Sequence, residues 1–171
     1  MNAKPIDLDA ILATLKNGPG MLQGLMAVVP EPMRRLHRIP GKWCIHAHAC
    51  HIVDVQPMLI GRLRRFLDDP HPVFVPYIPD GESGEAPLLA MDLRERLAAF
   101  PALRAEMVEL IRSAPASFWE GRAEHPEYAD YSPAILARHI MMHDHLHMYR
   151  IEELWLTRDA YLRGVARTET Q

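Results

Sequence analysis

Apolar residues recur every three or four positions in four stretches of the chain, which is the spacing of amphipathic helices. The stretches cover residues 6–29, 43–67, 91–113 and 132–162. No segment has a convincing strand pattern, because the apolar run at residues 73–75 is short and bounded by prolines. The pattern therefore predicts an all-α fold in which four main helices form a bundle.

Proline, glycine and serine punctuate the predicted helices. Asn-Gly-Pro-Gly at residues 17–20 predicts a break in the first helix, Pro57 a kink in the second and Pro101 a break in the third. Ser132 followed by proline is a typical start for the fourth helix, because serine caps the first turn and proline fits within it. Residues 68–90, with five prolines, predict a long connection that must cross the molecule.

The composition is that of one globular domain and excludes several classes of partner. The chain has 171 residues, 49% hydrophobic and 24% charged, so we expect one domain over residues 1–171 with its core in residues 6–163. A net charge of −3 provides no basic field for nucleic acid, and no apolar run approaches the roughly 20 residues that span a membrane. Cys44 and Cys50 are too few for a disulfide framework and are expected to be small core residues rather than metal ligands. The N-terminus does not resemble a secretory signal, which makes a cytoplasmic location the default expectation.

Histidine is the residue whose placement is unusual. The chain has ten histidines, and seven of them fall within residues 46–51 and 139–147. At about 100° per residue, His143 and His147 lie one turn apart on the apolar stripe of the fourth helix, whereas His145 points to solvent. Such positions normally hold leucine or isoleucine, so each inward imidazole needs a polar partner.

The second helix contributes a third inward histidine. His51 shares an apolar stripe with His48, whereas His46 points away from that stripe and is expected at the surface. Asp54 lies beside His51 on the rim of the stripe, three residues further along. We expect its carboxylate to orient His51 through the second ring nitrogen, as carboxylates commonly do for metal ligands.

Other polar residues flank these stripes. His139 and Arg150 lie on the near rim of the fourth helix, where a contact with a bound molecule and plain partial exposure are equally compatible with the pattern. Three further histidines fall in loops and are assigned no role: His37, His71 and His125.

Three neutral imidazoles that converge from two helices predict a divalent metal site at His51, His143 and His147. Such a site leaves coordination positions open for water or substrate, and it suits zinc, nickel, cobalt or iron. The alternative is a plain bundle whose core histidines are satisfied by protein partners. The HExxH helix of zinc proteases is a poor match, because Asp144 stands where the glutamate base is required.

Two segments resemble motifs of the DinB-like (YfiT-like) family. In PGKWCIHAHACHIVDVQPMLIGRLRRFL, which resembles the family's second helix, the motif residues are Trp43, His51, Ile52 and Asp54. In HPEYADYSPAILARHIMMHDHLHMYRIEEL, which resembles its last helix, they are His143, Asp144, His147 and Ile151. The segment DLRERLAAFPALRAEMVELI resembles the third helix more loosely, so the resemblance covers most of residues 8–156.

The resemblance implies a four-helix bundle with up-down-down-up topology, long crossover loops and a homodimeric assembly. It also implies a divalent metal held by His51, His143 and His147, the same three residues that the helical wheels select. Family members with known activity are metal-dependent thiol S-transferases or isomerases that use mycothiol, bacillithiol or glutathione. Gln56 departs from the family, in which a glutamate commonly stands two residues after the aspartate, so no role is carried over to that turn.

The resemblance makes a thiol S-transferase or isomerase acting on a small-molecule substrate the leading expectation. The metal would lower the pKa of a low-molecular-weight thiol, and the thiolate would attack an electrophile. His48, His139 and Arg150 would then contact the acidic groups of that thiol. Two alternatives stay open: the same site activates water for hydrolysis, or a fourth protein ligand such as His48 closes it in a non-catalytic, stress-related bundle. Whether residues 68–90 close over the site is left open.

Overall fold

The structure, a computed structural model, describes residues 7–75 and 84–162, and its regular elements are helices. The α-helices are α1 (Leu8–Val28), α2 (Ile45–Asp54), α3 (Gln56–Asp68), α4 (Glu85–Leu89), α5 (Leu93–Ser113), α6 (Pro133–Leu156) and α7 (Asp159–Leu162). Within the described ranges no strand forms, and the contact of Val73 with Glu124 is an isolated bridge. None of the helices described has the length and apolar character needed to cross a membrane.

Four long units form the bundle: α1, the α2–α3 pair, α5 and α6. The first two units each pack against both α5 and α6, so α1 lies diagonally opposite α2–α3. Helix α1 runs in the same direction as α6, because Leu15 shares a core cluster with Ile140 and, further along, Leu22 shares one with Ile151. Helix α2 runs against α6, since later residues of α2 contact earlier residues of α6. The predicted up-down-down-up four-helix bundle is confirmed.

Two predicted helix breaks are absent. Helix α1 continues through Pro19, and α5 continues through Pro101. On either side of Pro19, Leu15 and Leu22 are buried against α5 and α6, and Phe100 is buried beside Pro101. This packing outweighs the roughly 3 kcal/mol that a proline costs inside a helix. The predictions were wrong because local propensity was overridden by burial of the flanking turns.

The other helix boundaries follow the sequence signals closely. The helix predicted over residues 43–67 is interrupted at Val55, between α2 and α3, and Pro57 lies in the first turn of α3. Ser132 caps α6 as predicted, because its side chain accepts a hydrogen bond from the Ile135 amide. The last helix is shorter than predicted: α6 ends at Leu156, and residues up to Leu162 belong to the separate helix α7.

The described parts of the connection over residues 68–90 are anchored at both ends. Near its start the Phe74 amide donates to Glu124 O at 3.0 Å, and the Phe74 ring packs against Phe66 and Tyr131. Near its end α4 packs on α2 and buries Leu88. Residues 76–83 of this connection, and the predicted core limits at residues 6 and 163, lie outside the described residues.

A buried ion pair joins α5 to α6 in the middle of the bundle. Arg104 Nη2 donates to Asp144 Oδ2 at 2.5 Å, and neither side chain is more than 2% exposed. The guanidinium also lies over the Phe100 ring, 5.0 Å from its centroid. A Cβ atom at Gly18 of α1 would lie 3.5 Å from Asp144 Oδ2, so three helices surround the pair. Loss of one partner would leave the other charge unpaired in the protein interior.

We expect Arg104→Met to lower the free energy of unfolding by about 3–5 kcal/mol, because Asp144 stays buried without its cation. Adding Asp144→Leu should restore most of that loss, since no charge is then buried. Urea denaturation followed by circular dichroism measures both. Arg112→Met is the matched control, because Arg112 lies on the same helix and pairs with Glu109 at an exposed position. Equal losses in the single and double variants would contradict the expectation.

Candidate metal centre

The three predicted ligands lie on the facing sides of two antiparallel helices. His51 is in the last turn of α2, and His143 and His147 are one turn apart in α6. Ile140 and Ile151, both fully buried, flank the pair on the same side of α6. Because the apolar stripe of α6 packs on that of α2, histidines placed on the two stripes meet inside the bundle.

The three imidazole rings are in mutual contact. Their ring centroids are 4.5 Å apart for His143 and His147, 4.7 Å for His51 and His147, and 5.1 Å for His51 and His143. One ring nitrogen from each residue lies within 4.8 Å of the corresponding atoms of the other two. The structure therefore brings all three predicted ligands together in one place.

The surroundings lower the pKa of His51, of His147 and of the neighbouring His48. Burial, followed by the proximity of His143, lowers the pKa of His51 to about 3 and that of His147 to about 2. Burial, followed by the positive charge of Arg150, lowers the pKa of the neighbouring His48 to about 4. At neutral pH each of these imidazoles therefore retains a lone pair that can bind a cation.

The arrangement of donor atoms fits a divalent cation such as zinc. Two nitrogens bound to one tetrahedral zinc ion are about 3.3 Å apart, and His51 Nε2 lies 3.1 Å from His143 Nε2. The buried atoms His143 Nδ1 and Asp144 Oδ1 are 4.0 Å apart, and neither has a hydrogen-bond partner among the described residues. A closer approach of these two atoms would give the carboxylate–imidazole contact that commonly orients metal ligands.

Trp43 and His48 support the centre from outside. The Trp43 ring meets His51 edge-on at a centroid distance of 5.0 Å and stacks on His147 at 6.0 Å. His48 Nδ1 is 2.8 Å from His147 Nδ1, so one of these two neutral rings donates a hydrogen bond to the other. When His147 Nδ1–H donates this bond to His48 Nδ1, the lone pair of His147 lies on Nε2, which is then the nitrogen for a metal. Among the described residues His48 does not belong to the group of three mutually close donors.

A cavity of about 280 Å³ opens beside the three histidines, all of which line it. Val55, Met58 and Leu59 form an apolar wall, and the aromatic rings of Trp43 and Tyr131 form another. A volume of this size accommodates one small molecule next to the metal ligands. The site therefore has a bounded space for a substrate as well as a set of donors.

The polar side of the cavity comes from α3 and from the segment that precedes α6. Tyr128 Oη lies 3.3 Å from His139 Nδ1, and burial lowers the pKa of His139. Arg62 Nη2 donates to Val75 O at 2.9 Å, and Arg62 and Glu127 both line the cavity. A guanidinium, a carboxylate, a phenol and an imidazole thus face the same cavity as His51, His143 and His147.

A profile of the DinB superfamily matches residues 14–151, a span that includes His51, His143 and His147. The chain belongs to the DinB superfamily. The solved structure of YfiT from Bacillus subtilis matches this DinB chain at a TM-score of 0.77 and 19% sequence identity, over 90% of this chain and 88% of that one. That protein is described as a probable metal-dependent hydrolase with an unusual four-helix bundle topology. At this identity the likeness shows the shared fold, and no curated protein matches the chain.

The flanking residues predicted for this DinB chain occupy different places. His48 and His139 are partly buried and lie next to His147 and His143, respectively. Arg150 is exposed, pairs with Glu153 and lines a neighbouring cavity of about 390 Å³ together with His48. Asp54 Oδ1 lies 3.9 Å from an Arg96 nitrogen. The predicted role of Asp54 in orienting His51 stays a prediction.

Two of the histidines predicted to lie at the surface have different outcomes. His145 is exposed as expected, and its ring contacts Met141 O. The prediction for His46 was wrong, because this side chain is only 4% exposed. Its Nε2 atom lies 3.2 Å from Leu88 O of α4. The short helix α4, which the sequence pattern did not predict, covers the side of α2 that carries His46.

Sequence reasoning missed several residues of the site. His125 was assigned no role, yet it lines the cavity with Glu127 and Tyr128. These residues lie in an irregular segment, so no helical period could place them. The ion pair of Asp144 with Arg104 was also missed, although both positions fall within predicted helices. The sequence did contain a signal for this pair. Arg104 on α5 and Asp144 on α6 are residues of opposite charge at positions that face the bundle interior.

We expect His143→Ala/His147→Ala to bind one zinc ion fewer per chain than the unaltered protein, because two of three nitrogen ligands are removed. Isothermal titration of protein without a histidine tag measures the stoichiometry. His145→Ala is the control, since this residue of the same helix is exposed and should leave binding unchanged. Identical zinc stoichiometry in all three proteins would refute the three-histidine site.

The lowered pKa values of His51 and His147 predict a pH-dependent stability in the presence of EDTA. Below about pH 6.5 the unfolded chain binds protons that the folded chain excludes, so stability falls as pH drops towards 5, by roughly 1–2 kcal/mol per histidine. His51→Leu should flatten this dependence, and His145→Leu should not. Urea unfolding at several pH values measures the slope. A steeper slope in His51→Leu than in the unaltered protein would show that the buried ring is charged.

Proposed function

We propose that this DinB superfamily member is a metal-dependent hydrolase that acts on a small molecule bound beside His51, His143 and His147. The single observation that carries the proposal is the opening of three imidazole nitrogen donors onto a bounded cavity of about 280 Å³. A purely structural metal site is normally closed by four protein ligands, whereas a catalytic one keeps a position open. The description of YfiT, which has the same fold, as a probable metal-dependent hydrolase is consistent with this proposal.

A divalent cation in such a site lowers the pKa of water at its open position and polarises a substrate carbonyl or phosphoryl group. The chain itself supplies the surroundings for that chemistry. Trp43, Val55 and Met58 exclude bulk water from one side of the cavity and bind the apolar part of a substrate. Arg62, on the opposite polar side, is placed to bind an anionic group.

We assign the proton transfer to His139. Its ring lines the cavity, stacks near His143 at a centroid distance of 6.5 Å and is neutral at neutral pH because burial lowers its pKa. A neutral imidazole accepts a proton during nucleophilic attack and returns it to the leaving group. Tyr128, in contact with His139 Nδ1, would hold the ring in one orientation.

Thiol transfer, the activity expected from the family resemblance, is the second candidate. It is favoured by the neighbouring cavity of about 390 Å³, which Lys42, His48 and Arg150 line. These side chains suit the carboxylates of a low-molecular-weight thiol such as glutathione or bacillithiol. Trp43 borders both cavities, so a thiol in one and an electrophile in the other would meet near the His48–His147 contact.

We further propose that the chain forms a homodimer through α6. Met142, Leu146, Tyr149 and Leu156 are each more than half exposed and follow one another at spacings of four, three and seven residues along this helix. Such a seam suits packing against the same helix of a second copy. Analytical ultracentrifugation should show a dimer that Leu146→Glu converts to monomer, while Arg112→Glu, at an exposed position of α5 away from this seam, leaves it intact. A monomer at all concentrations would exclude this assembly.

We expect the zinc-, nickel- or cobalt-loaded protein to hydrolyse members of a panel of small carboxylic and phosphoric esters, and His143→Ala to abolish the activity. His139→Gln should lower kcat by roughly 100-fold or more with little change in KM, because it removes proton transfer and keeps the shape. Arg62→Gln should mainly raise KM for anionic substrates.

Isotope-labelled water distinguishes the two candidate reactions in the same assay. Incorporation of the heavy oxygen into product supports hydrolysis, whereas a thioether formed only when a thiol is added supports transfer. The hydrolase proposal is excluded if no substrate of the panel reacts faster with the metal-loaded protein than with the His143→Ala variant.

A further inference from the structure

A second group of potential metal-ligand atoms lies at the start of α2, next to Trp43 in sequence. It consists of His37, from the loop before α2, Cys44, at the N-cap of α2, and Glu85, the first residue of α4. One ligand atom from each lies within 4.8 Å of the others. His37 Nε2 is 2.9 Å from Glu85 Oε2, and the Cys44 amide donates to Glu85 Oε1 at 2.8 Å.

We propose that His37, Cys44 and Glu85 form a second metal site that takes a thiophilic divalent cation such as zinc. The donor set of imidazole nitrogen, thiolate sulfur and carboxylate oxygen contains the three ligand types that zinc uses in proteins. The sulfur disfavours magnesium and calcium, which prefer oxygen ligands alone. The proposal is independent of the reaction at the three-histidine centre.

The position of the Cys44 side chain supports a ligand role. Cys44 stands at the N-cap of α2, where serine, threonine, aspartate or asparagine usually caps the helix, but its side chain makes no capping hydrogen bond. The Glu85 carboxylate accepts a hydrogen bond from the Cys44 amide. The sulfur lies near the Ala47 and His46 amides of the first turn. It also lies beside a carboxylate and an imidazole from two other segments.

The charges of the group favour a cation. Burial, with a smaller contribution from Glu85, raises the pKa of the Cys44 thiol, so without a metal the thiol keeps its proton. When the ion binds, this proton leaves for solvent, and the resulting thiolate and the Glu85 carboxylate together balance the two positive charges. His37 is exposed and Glu85 is partly exposed, which leaves a path for the ion and a position for water.

The second site would fix the surroundings of the first. An ion bound there would tie the loop before α2 and the start of α4 to the N-terminus of α2. Trp43, whose ring contacts His51 and His147, immediately precedes Cys44. Occupancy of the second site would therefore hold the indole in place over the three-histidine centre.

Cobalt titration tests the proposal, because a cobalt–thiolate bond gives a near-ultraviolet charge-transfer band that three histidines cannot give. The unaltered chain should bind two cobalt ions and show the band. Cys44→Ser should bind one ion and lose the band. Cys50→Ser is the matched control, since Cys50 is the other free, buried cysteine. This variant should bind two cobalt ions and show the band. His143→Ala/His147→Ala should keep the band and lose one ion, which separates this site from the catalytic proposal.

His37→Ala and Glu85→Gln provide a second test in case Cys44→Ser does not fold. Both retain the thiol and should weaken the cobalt affinity measured from the band by roughly 10-fold or more, because each removes a ligand. Circular dichroism confirms the helical fold of every variant. The proposal is overturned if the folded, unaltered chain shows no band at saturating cobalt, or if the band persists in Cys44→Ser.

Discussion

The antiparallel packing of α2 on α6 is the constraint on which the rest of the structure depends. It packs the stripe that carries His51 against the stripe that carries His143 and His147, so that His51 is buried and the other two imidazoles are partly buried. This environment disfavours the charged forms of His51 and His147, whose rings therefore retain nitrogen lone pairs. The same packing sets Trp43 against the rings and leaves one side of them open to a cavity. Donor chemistry, protonation and access thus follow from one interface between helices.

The sequence predicted the features that depend on helical period and missed those that depend on irregular segments. Period alone placed His51, His143 and His147 on inward stripes, and the family resemblance supplied the order and directions of the helices. The buried state of His46 could not be predicted, because α4, which covers it, lies in a proline-rich connection without a helical pattern. The helix breaks predicted at Pro19 and Pro101 are absent for a different reason. A proline inside a helix does cost free energy, but the burial of the neighbouring turns outweighs that cost.

Membership of the DinB superfamily fixes the framework and leaves the chemistry to side chains that line the cavities. The ligands come from rigid helices, whereas Arg62, His125, Tyr128 and His139 are contributed by a helix face, by the segment before α6 and by the first turns of α6. A histidine centre on two long helices, with a polar wall that comes largely from other segments, is an arrangement in which the substrate can change while the three histidines stay the same. Trp43 lines both cavities, and each cavity has its own set of charged groups.

The buried pair of Arg104 and Asp144 has a consequence for how this sequence can vary. Because each residue is stable in the interior only with the other present, a change of either one alone passes through an intermediate with an isolated charge in the core. The two positions, which are 40 residues apart, are therefore free to change only together. Asp144 also directly follows His143, so this coupling extends to the edge of the metal centre. A residue of α5 that touches no ligand thereby restricts the evolutionary paths open to the site.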